Sequence, residues 1–252
     1  MNRIDAIKSV RAKLRAGGTS VGSWIQIPHP SVAEVMGDSG YDWVALDLEH
    51  GAIGAHQLPD LCRALELGGT LPLARVAHGA VKDCKLALDA GCGGIIAPMV
   101  ESAEQLVRIR DACRWPPAGT RGVGFSRANL FGKHFDAYTT EAQAPLLVAM
   151  IEHARAVDAL AEIVKVQGLD AILVGPYDLS SSLGLTAQFT HPDFEAAMAR
   201  ILELTRAAGI ACGVHVVTPS IEELRRRESQ GYRFIAYGID SVILHLGARR
   251  PQ

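Results

Sequence analysis

Asp47, Glu49 and His50 fall within four residues at the end of an apolar run, in DWVALDLEHG at 42–51. Two carboxylates and an imidazole at this spacing suit proton transfer, with Asp47 able to orient His50. Arg75 closes a second apolar run, LPLAR. A guanidinium there requires an anion. That anion is a substrate carboxylate or developing oxyanion, or else a structural partner such as Asp47 or Glu49. Glu152 and Asp178 follow two further runs, in LLVAMIEH and AILVGPYDLS. If neighbours, two carboxylates repel unless a proton or cation joins them. A hard divalent ion, completed by water and substrate oxygens, would satisfy both. The Gly175-Pro176 turn fixes Asp178 just past its run. Polar residues also follow strands simply because loops are solvated. Acids, Arg and His together at five such ends argue for more than that. His153 and His215 are read as structural.

These groups need a scaffold that gathers them. Short apolar runs at 21–25, 43–47, 71–75, 94–97, 146–151, 171–174, 211–214 and 234–236 alternate with helical patterns at 57–67, 81–90, 103–113, 156–166, 194–207 and 221–230. Continuous apolar strands of this kind belong to parallel sheets buried on both faces. Eight of them with intervening helices predict an α/β fold, a (β/α)8 TIM barrel, in one domain over 1–252. The rival, an open doubly wound sheet, carries a Gly-rich phosphate loop, and the chain has no GxGxxG. Barrel active sites form at the C-terminal strand ends. The expected mouth therefore collects Trp24, Gln26, Asp47, Glu49, His50, Arg75, Pro98, Met99, Glu152, Gly175, Pro176, Tyr177, Asp178, His215 and Tyr237. The connection at 114–145 exceeds ordinary loop length, as functional or partner-ordered segments do. The tail after Ile239 is short for a last barrel helix and is expected on a neighbouring subunit.

Composition narrows the function classes. A net charge of −2 with 21% charged residues gives no nucleic-acid surface and no membrane-seeking patch. Five scattered cysteines without a CxxC suit a reducing compartment. The first residues read as a charged amphipathic helix rather than a signal peptide, and no apolar run is long enough for a membrane helix. The expectation is a cytoplasmic protein with small-molecule partners.

At this point the motifs GSW…DWVALDLEHG, LARV, GCGGIIAPMVESAEQ, RWPPAGTRGVG, IEH and GLDAILVGPYDLSSSLG resemble the HpcH/HpaI aldolase family over residues 18–240. The resemblance implies a barrel of the phosphoenolpyruvate/pyruvate type, in hexamers (trimers of dimers) whose C-terminal helix is swapped between subunits. It implies a divalent metal, Mg2+, Mn2+ or Co2+, on Glu152 and Asp178. It gives Arg75 the pyruvate enolate, His50 backed by Asp47 the proton, and the Gly175-Pro176-Tyr177-Asp178 turn the pyruvate carboxylate through backbone N–H groups. Trp24 matches an aromatic at the mouth, and Asp89 an acid reaching a neighbouring subunit's site.

Two positions depart from the pattern. Met150 stands where some members carry Gln, and GFSRANLFGKHFD differs from the sugar-acid enzymes, so that Ser126, Arg127 and Asn129 are expected to meet a different, hydroxylated or semialdehyde acceptor. The implied reaction is metal-dependent formation or cleavage of a 4-hydroxy-2-oxo acid from pyruvate and an aldehyde. Lys82, Lys85 and Lys165 lie in helical patterns, away from strand ends, which speaks against a Schiff base. The alternatives are a CoA-ester lyase of the citrate-lyase-β or malyl-CoA type, and a non-catalytic barrel subunit.

Overall fold

The computed structural model describes residues 2–250; residues 1, 251 and 252 lie outside the described residues. Eight parallel strands close into a barrel in chain order. They are β1 (Ser20–Ile25), β2 (Trp43–Asp47), β3 (Leu71–Arg75), β4 (Gly94–Ala97), β5 (Leu146–Ile151), β6 (Ala171–Val174), β7 (Ala211–Val216) and β8 (Phe234–Tyr237). The (β/α)8 expectation holds, and the strands follow the apolar runs, with β1, β7 and β8 slightly longer than the runs suggest.

Alternation along the strands builds two cores. One residue set faces the helices, among them Val44, Leu46, Ala74, Ile95 and Val174. The other fills the barrel, with Trp24, Trp43, Leu73, Val148, Met150 and Phe234. Trp43 stacks on Phe234 at 4.3 Å between centroids, and Trp24 meets Trp43 edge-on at 6.5 Å. Gly22 makes room, since a Cβ there would overlap the Trp43 ring. This aromatic plug fills the barrel interior below the C-terminal strand ends. Helix α1 (Arg3–Arg15) contributes Ala6, Ile7 and Val10 to the inner core from the opposite end.

The outer helices are α2 (Pro30–Gly37), α3 (Leu58–Leu67), α4 (Val81–Ala90), α5 (Ala103–Cys113), α6 (Phe135–Ala142), α7 (Ala154–Ile163), α8 (Pro176–Ser182), α9 (Pro192–Ala207), α10 (Ile221–Gln230) and α11 (Asp240–Gly247). Helices α2, α6 and α8 were not expected. Each has eight residues or fewer, too short to show a helical period, and α2 and α8 begin at a proline, the residue suited to a first helical position. Part of the long connection packs on itself. Trp115, Ala128, Tyr138 and Ala142 form a small core of their own. Arg3 with Glu141, and Arg127 with Glu66, tie it to the end of the barrel that α1 closes. Helix α11 is apolar, yet Asp240 is its one buried residue and Leu244 is exposed. Among the described residues, no helix is long and apolar enough to cross a membrane.

Candidate active site

The register of β2 on β3 sets Asp47 beside Arg75. Asp47 is fully buried at the strand end and grips Arg75 with both oxygens, at 2.9 Å from Nε and 2.6 Å from Nη2. Gln26 Nε2 donates to Asp47 at 2.9 Å, and the backbone N–H groups of Glu49 and His50 donate at 3.1 Å. Burial pushes the Asp47 carboxyl up, but the bonds and charge from Arg75, helped by Gln26 and the His50 N–H, outweigh it and hold the group below the usual range. Gly51 lets the loop turn back, for a Cβ there would overlap the Asp47 carbonyl. Glu49 adds a second carboxylate 3.4 Å from Arg75. Beneath, the Arg75 guanidinium lies 4.4 Å from the Trp24 ring centroid. Arg75 is thus locked from below and from one side, with its remaining donors toward the cavity.

Two expectations change here. Asp47 does not orient the His50 imidazole, because its oxygens are committed to Arg75, Gln26 and backbone N–H groups. The carboxylate nearest the ring is Glu49, at 3.9 Å, and the ring itself is exposed. Trp24 lies in the floor at 2% exposure rather than at the rim, because its position in β1 faces the barrel interior.

Across the cavity, Glu152 ends β5 and is 3% exposed. Its Oε1 accepts the Met99 N–H at 2.6 Å. Its Oε2 faces Gly175, where an added Cβ would lie only 2.5 Å away. Burial, together with the charges of Glu49 and Asp178, pushes the Glu152 carboxyl up to about 7 against the pull of the Met99 N–H. Met99 adopts φ 49°, a left-handed conformation rare outside glycine. Met99 stood among the strand-end residues, but its role is a backbone one that residue type does not reveal. Asp178 stands exposed on the first turn of α8. The first bond within this helix runs from Leu179 N to the Gly175 carbonyl, so the N–H groups of Tyr177 and Asp178 open toward the strand ends.

Trp24, Gln26, Asp47, His50, Arg75, Met150, Glu152, Gly175, Pro176, Tyr177, Asp178 and His215 line one cavity of about 210 Å3. Burial holds the His215 imidazole down at about 4, so it is neutral in ordinary buffers, with Nε2 3.1 Å from the Gly238 carbonyl. Among the described residues no three His, Cys, Asp or Glu side chains form a closed metal cage. The carboxylates fit a cation in a different way. Glu152 is buried, charged only at the cost of repulsion from Glu49 and Asp178, and its free oxygen faces a gap that only glycine leaves open. The nearby guanidinium of Arg75 is already engaged by Asp47 and Glu49. Two carboxylates with the other positions left to water and substrate suit a small divalent ion.

Three further candidates lie elsewhere. Asp89 is in the last turn of α4, at the end of the barrel away from the mouth, 3.6 Å from Arg121. Arg127 donates to Glu66 and, at 3.0 Å, to the Ala90 carbonyl, again at that far end. The Ser126 N–H donates to Asn129 Oδ1 at 3.0 Å within the same turn. Ser126 and Arg127 therefore do not meet a substrate in their own subunit's mouth, because Glu66 and the far-end carbonyls satisfy the guanidinium. The ion pair that fixes them spans sixty-one residues and is invisible to local pattern.

The closed barrel and the carboxylate–arginine mouth at its strand ends define an enzyme of the (β/α)8 class. The family described as HpcH/HpaI aldolase/citrate lyase matches residues 20–245, and the chain belongs to that family. It is 35% identical over 242 residues to the hydroxypyruvate/pyruvate aldolase of Roseobacter denitrificans, covering 94% of this chain and 93% of that one. It is 36% identical to the 4-hydroxy-2-oxovalerate aldolase of Novosphingobium aromaticivorans, covering 96% and 92%. A solved HpcH/HpaI aldolase/citrate lyase family protein from Burkholderia cenocepacia superposes with a TM-score of 0.89 at 32% identity, covering 96% of both chains.

Proposed function

We propose that this chain is a divalent-metal-dependent aldolase that forms and cleaves a 4-hydroxy-2-oxo acid, with pyruvate or a near analogue as the donor half. The observation that carries this reading is one small cavity with a locked Arg75 on one wall and the strained carboxylate pair Glu152 and Asp178 on the other. Glu152 and Asp178 would hold Mg2+, Mn2+ or Co2+, which when bound supplies a Lewis acid beside the 2-oxo group. The first-turn N–H groups at Tyr177 and Asp178, behind Gly175 and Pro176, receive the donor carboxylate. Arg75 directs its free donors at the oxygen that becomes negative when a C3 proton leaves, and Asp47 holds the guanidinium still for that task. His50, exposed at the rim beside Glu49, exchanges the proton with water. The enolate carbon then adds to the aldehyde, and the new alkoxide takes up a proton. Trp24, Met150 and Leu173 make the floor apolar and water-poor, which strengthens each of these interactions.

Asp89, remote from its own mouth, would reach a neighbouring subunit's, in a hexamer of three dimers that exchange α11. The exposed Leu244, Phe125 and Phe131 supply apolar surface for such contacts. Five buried free thiols favour the cytoplasm as its compartment.

The test needs no knowledge of the acceptor. Protein stripped with a chelator is given pyruvate in deuterated water, and the methyl signal is followed by NMR with Mn2+ or Mg2+ restored. Metal-dependent loss of the signal, abolished in Arg75→Ala and Glu152→Gln, is the expected result. Absence of exchange with every divalent ion tried would refute pyruvate as donor.

A further inference from the structure

A second cavity opens beside the mouth. It measures about 640 Å3 and runs between α9, α10 and the outer face of β7. Pro176, Tyr177, His215 and Val217 line both cavities, so the two share a wall. On the far side of that wall an aromatic cluster lines one part of the cavity, and Glu195, Arg226, Arg227 and Gln230 line another. Tyr177 meets Phe189 edge-to-face at 5.0 Å between centroids, and Phe189 meets Phe194 at 5.4 Å. Tyr177 and Phe189 are exposed, at 58% and 36%, although each lies against other aromatic rings. Met198 and Val214 continue the apolar surface inward.

Size divides the work between the cavities. Pockets that enclose a whole drug-sized ligand span about 300–1,000 Å3. The mouth, at about 210 Å3, falls short of that range and suits the reacting ends of two small molecules. The neighbouring cavity lies within it. A substituent as large as a ring, carried beyond the acceptor's aldehyde carbon, must leave a mouth of this size. Tyr177, on the shared wall, carries the lining from the mouth onto Phe189, where the rings are already offset for edge and face contacts. Ser126 and Arg127, the polar residues expected to greet a hydroxylated acceptor, are turned to the other end of the barrel.

We propose that this cavity is the acceptor's distal subsite and that it takes an aromatic ring, Phe189 being the side chain that selects it. The inference rests on the aldolase reading above. In the synthetic direction a C3 proton leaves pyruvate, C3 bonds to the carbonyl carbon of an aryl aldehyde, and the resulting alkoxide is protonated. The product is a 4-aryl-4-hydroxy-2-oxobutanoate, and no oxidant or reductant is needed.

The Mn2+-loaded protein would be assayed with pyruvate against benzaldehyde and against glycolaldehyde. The expected wild-type kcat/KM favours benzaldehyde by tenfold or more. Phe189→Ala removes the ring contact, and Ala199→Phe fills the cavity from α9. Each is expected to lower kcat/KM for benzaldehyde at least fivefold, leaving glycolaldehyde and pyruvate deuterium exchange unchanged. A wild-type preference for glycolaldehyde, or a benzaldehyde preference undiminished in both variants, would overturn the proposal. Absence of pyruvate exchange in the wild type would instead refute pyruvate as the donor. The subsite then stands or falls on ligand-observed NMR with benzyl alcohol. Saturation transfer lost in Ala199→Phe supports an aryl site, and transfer equal in wild type and both variants refutes it.

Discussion

Glu152 gives the sharpest quantitative test of the site. Its carboxyl is pushed from 4.5 up to about 7, chiefly by burial and then by the charges of Glu49 and Asp178. The folded, metal-free protein therefore holds a proton that the unfolded chain has released between these two values. Stability must fall as pH rises through that window, since the folded state binds more protons there. The gap corresponds to about 3 kcal/mol at 1.36 kcal/mol per pH unit. For a chain of this length that is roughly 6–12 °C in melting temperature. Glu152→Gln keeps an oxygen for the Met99 N–H and cannot ionise. The chelator-treated variant should therefore gain on wild type by that amount between pH 4.5 and pH 8, other groups cancelling in the comparison. Mn2+ should restore wild type at pH 8 and leave the variant unmoved, and metal binding at pH 6 should release about one proton. Thermal melts with isothermal titration in buffers of different ionisation enthalpy would measure both. A melting difference that does not change with pH would refute the account of a carboxylate held uncharged by its neighbours until a cation arrives.

Other outcomes follow from the same geometry. Gly175→Ala places a Cβ 2.5 Å from Glu152 Oε2, so Mn2+ affinity should fall about tenfold or more by titration while the fold, read by circular dichroism, survives. Asp47→Ala leaves the Arg75 guanidinium with Glu49 alone, which should cost about 3 kcal/mol in denaturant unfolding and slow pyruvate exchange about a hundredfold; near-wild-type exchange would show that Arg75 needs no clamp. His215, held at about 4, should show no imidazole titration by NMR between pH 5.5 and 8, its contribution to stability fading only as pH falls from 6.5 toward 4.

Some of this protein was decided by local chemistry and some was not. Strand positions were legible because a strand buried on both faces must be continuously apolar, and each helix-ending glycine marks where the next begins. The acids and cations after those strands were legible because a closed barrel brings all its C-terminal strand ends to one mouth. Asp47, His50, Arg75, Glu152, Tyr177 and Asp178 share one cavity for that reason. Only the tertiary structure decided their pairing. It gave Asp47 to Arg75 rather than to the His50 ring, because the β2–β3 register aligns the two side chains across neighbouring strands. It gave Glu152 the Met99 N–H through a left-handed residue that nothing in its side chain announces. It took Ser126 and Arg127 to the opposite end of the barrel, where Glu66 and backbone carbonyls satisfy the guanidinium. Hydrophobic period is a local property and survives translation into sequence. Hydrogen-bond partners fixed across dozens of residues do not, since a charge is spent on whichever opposite charge the fold brings closest.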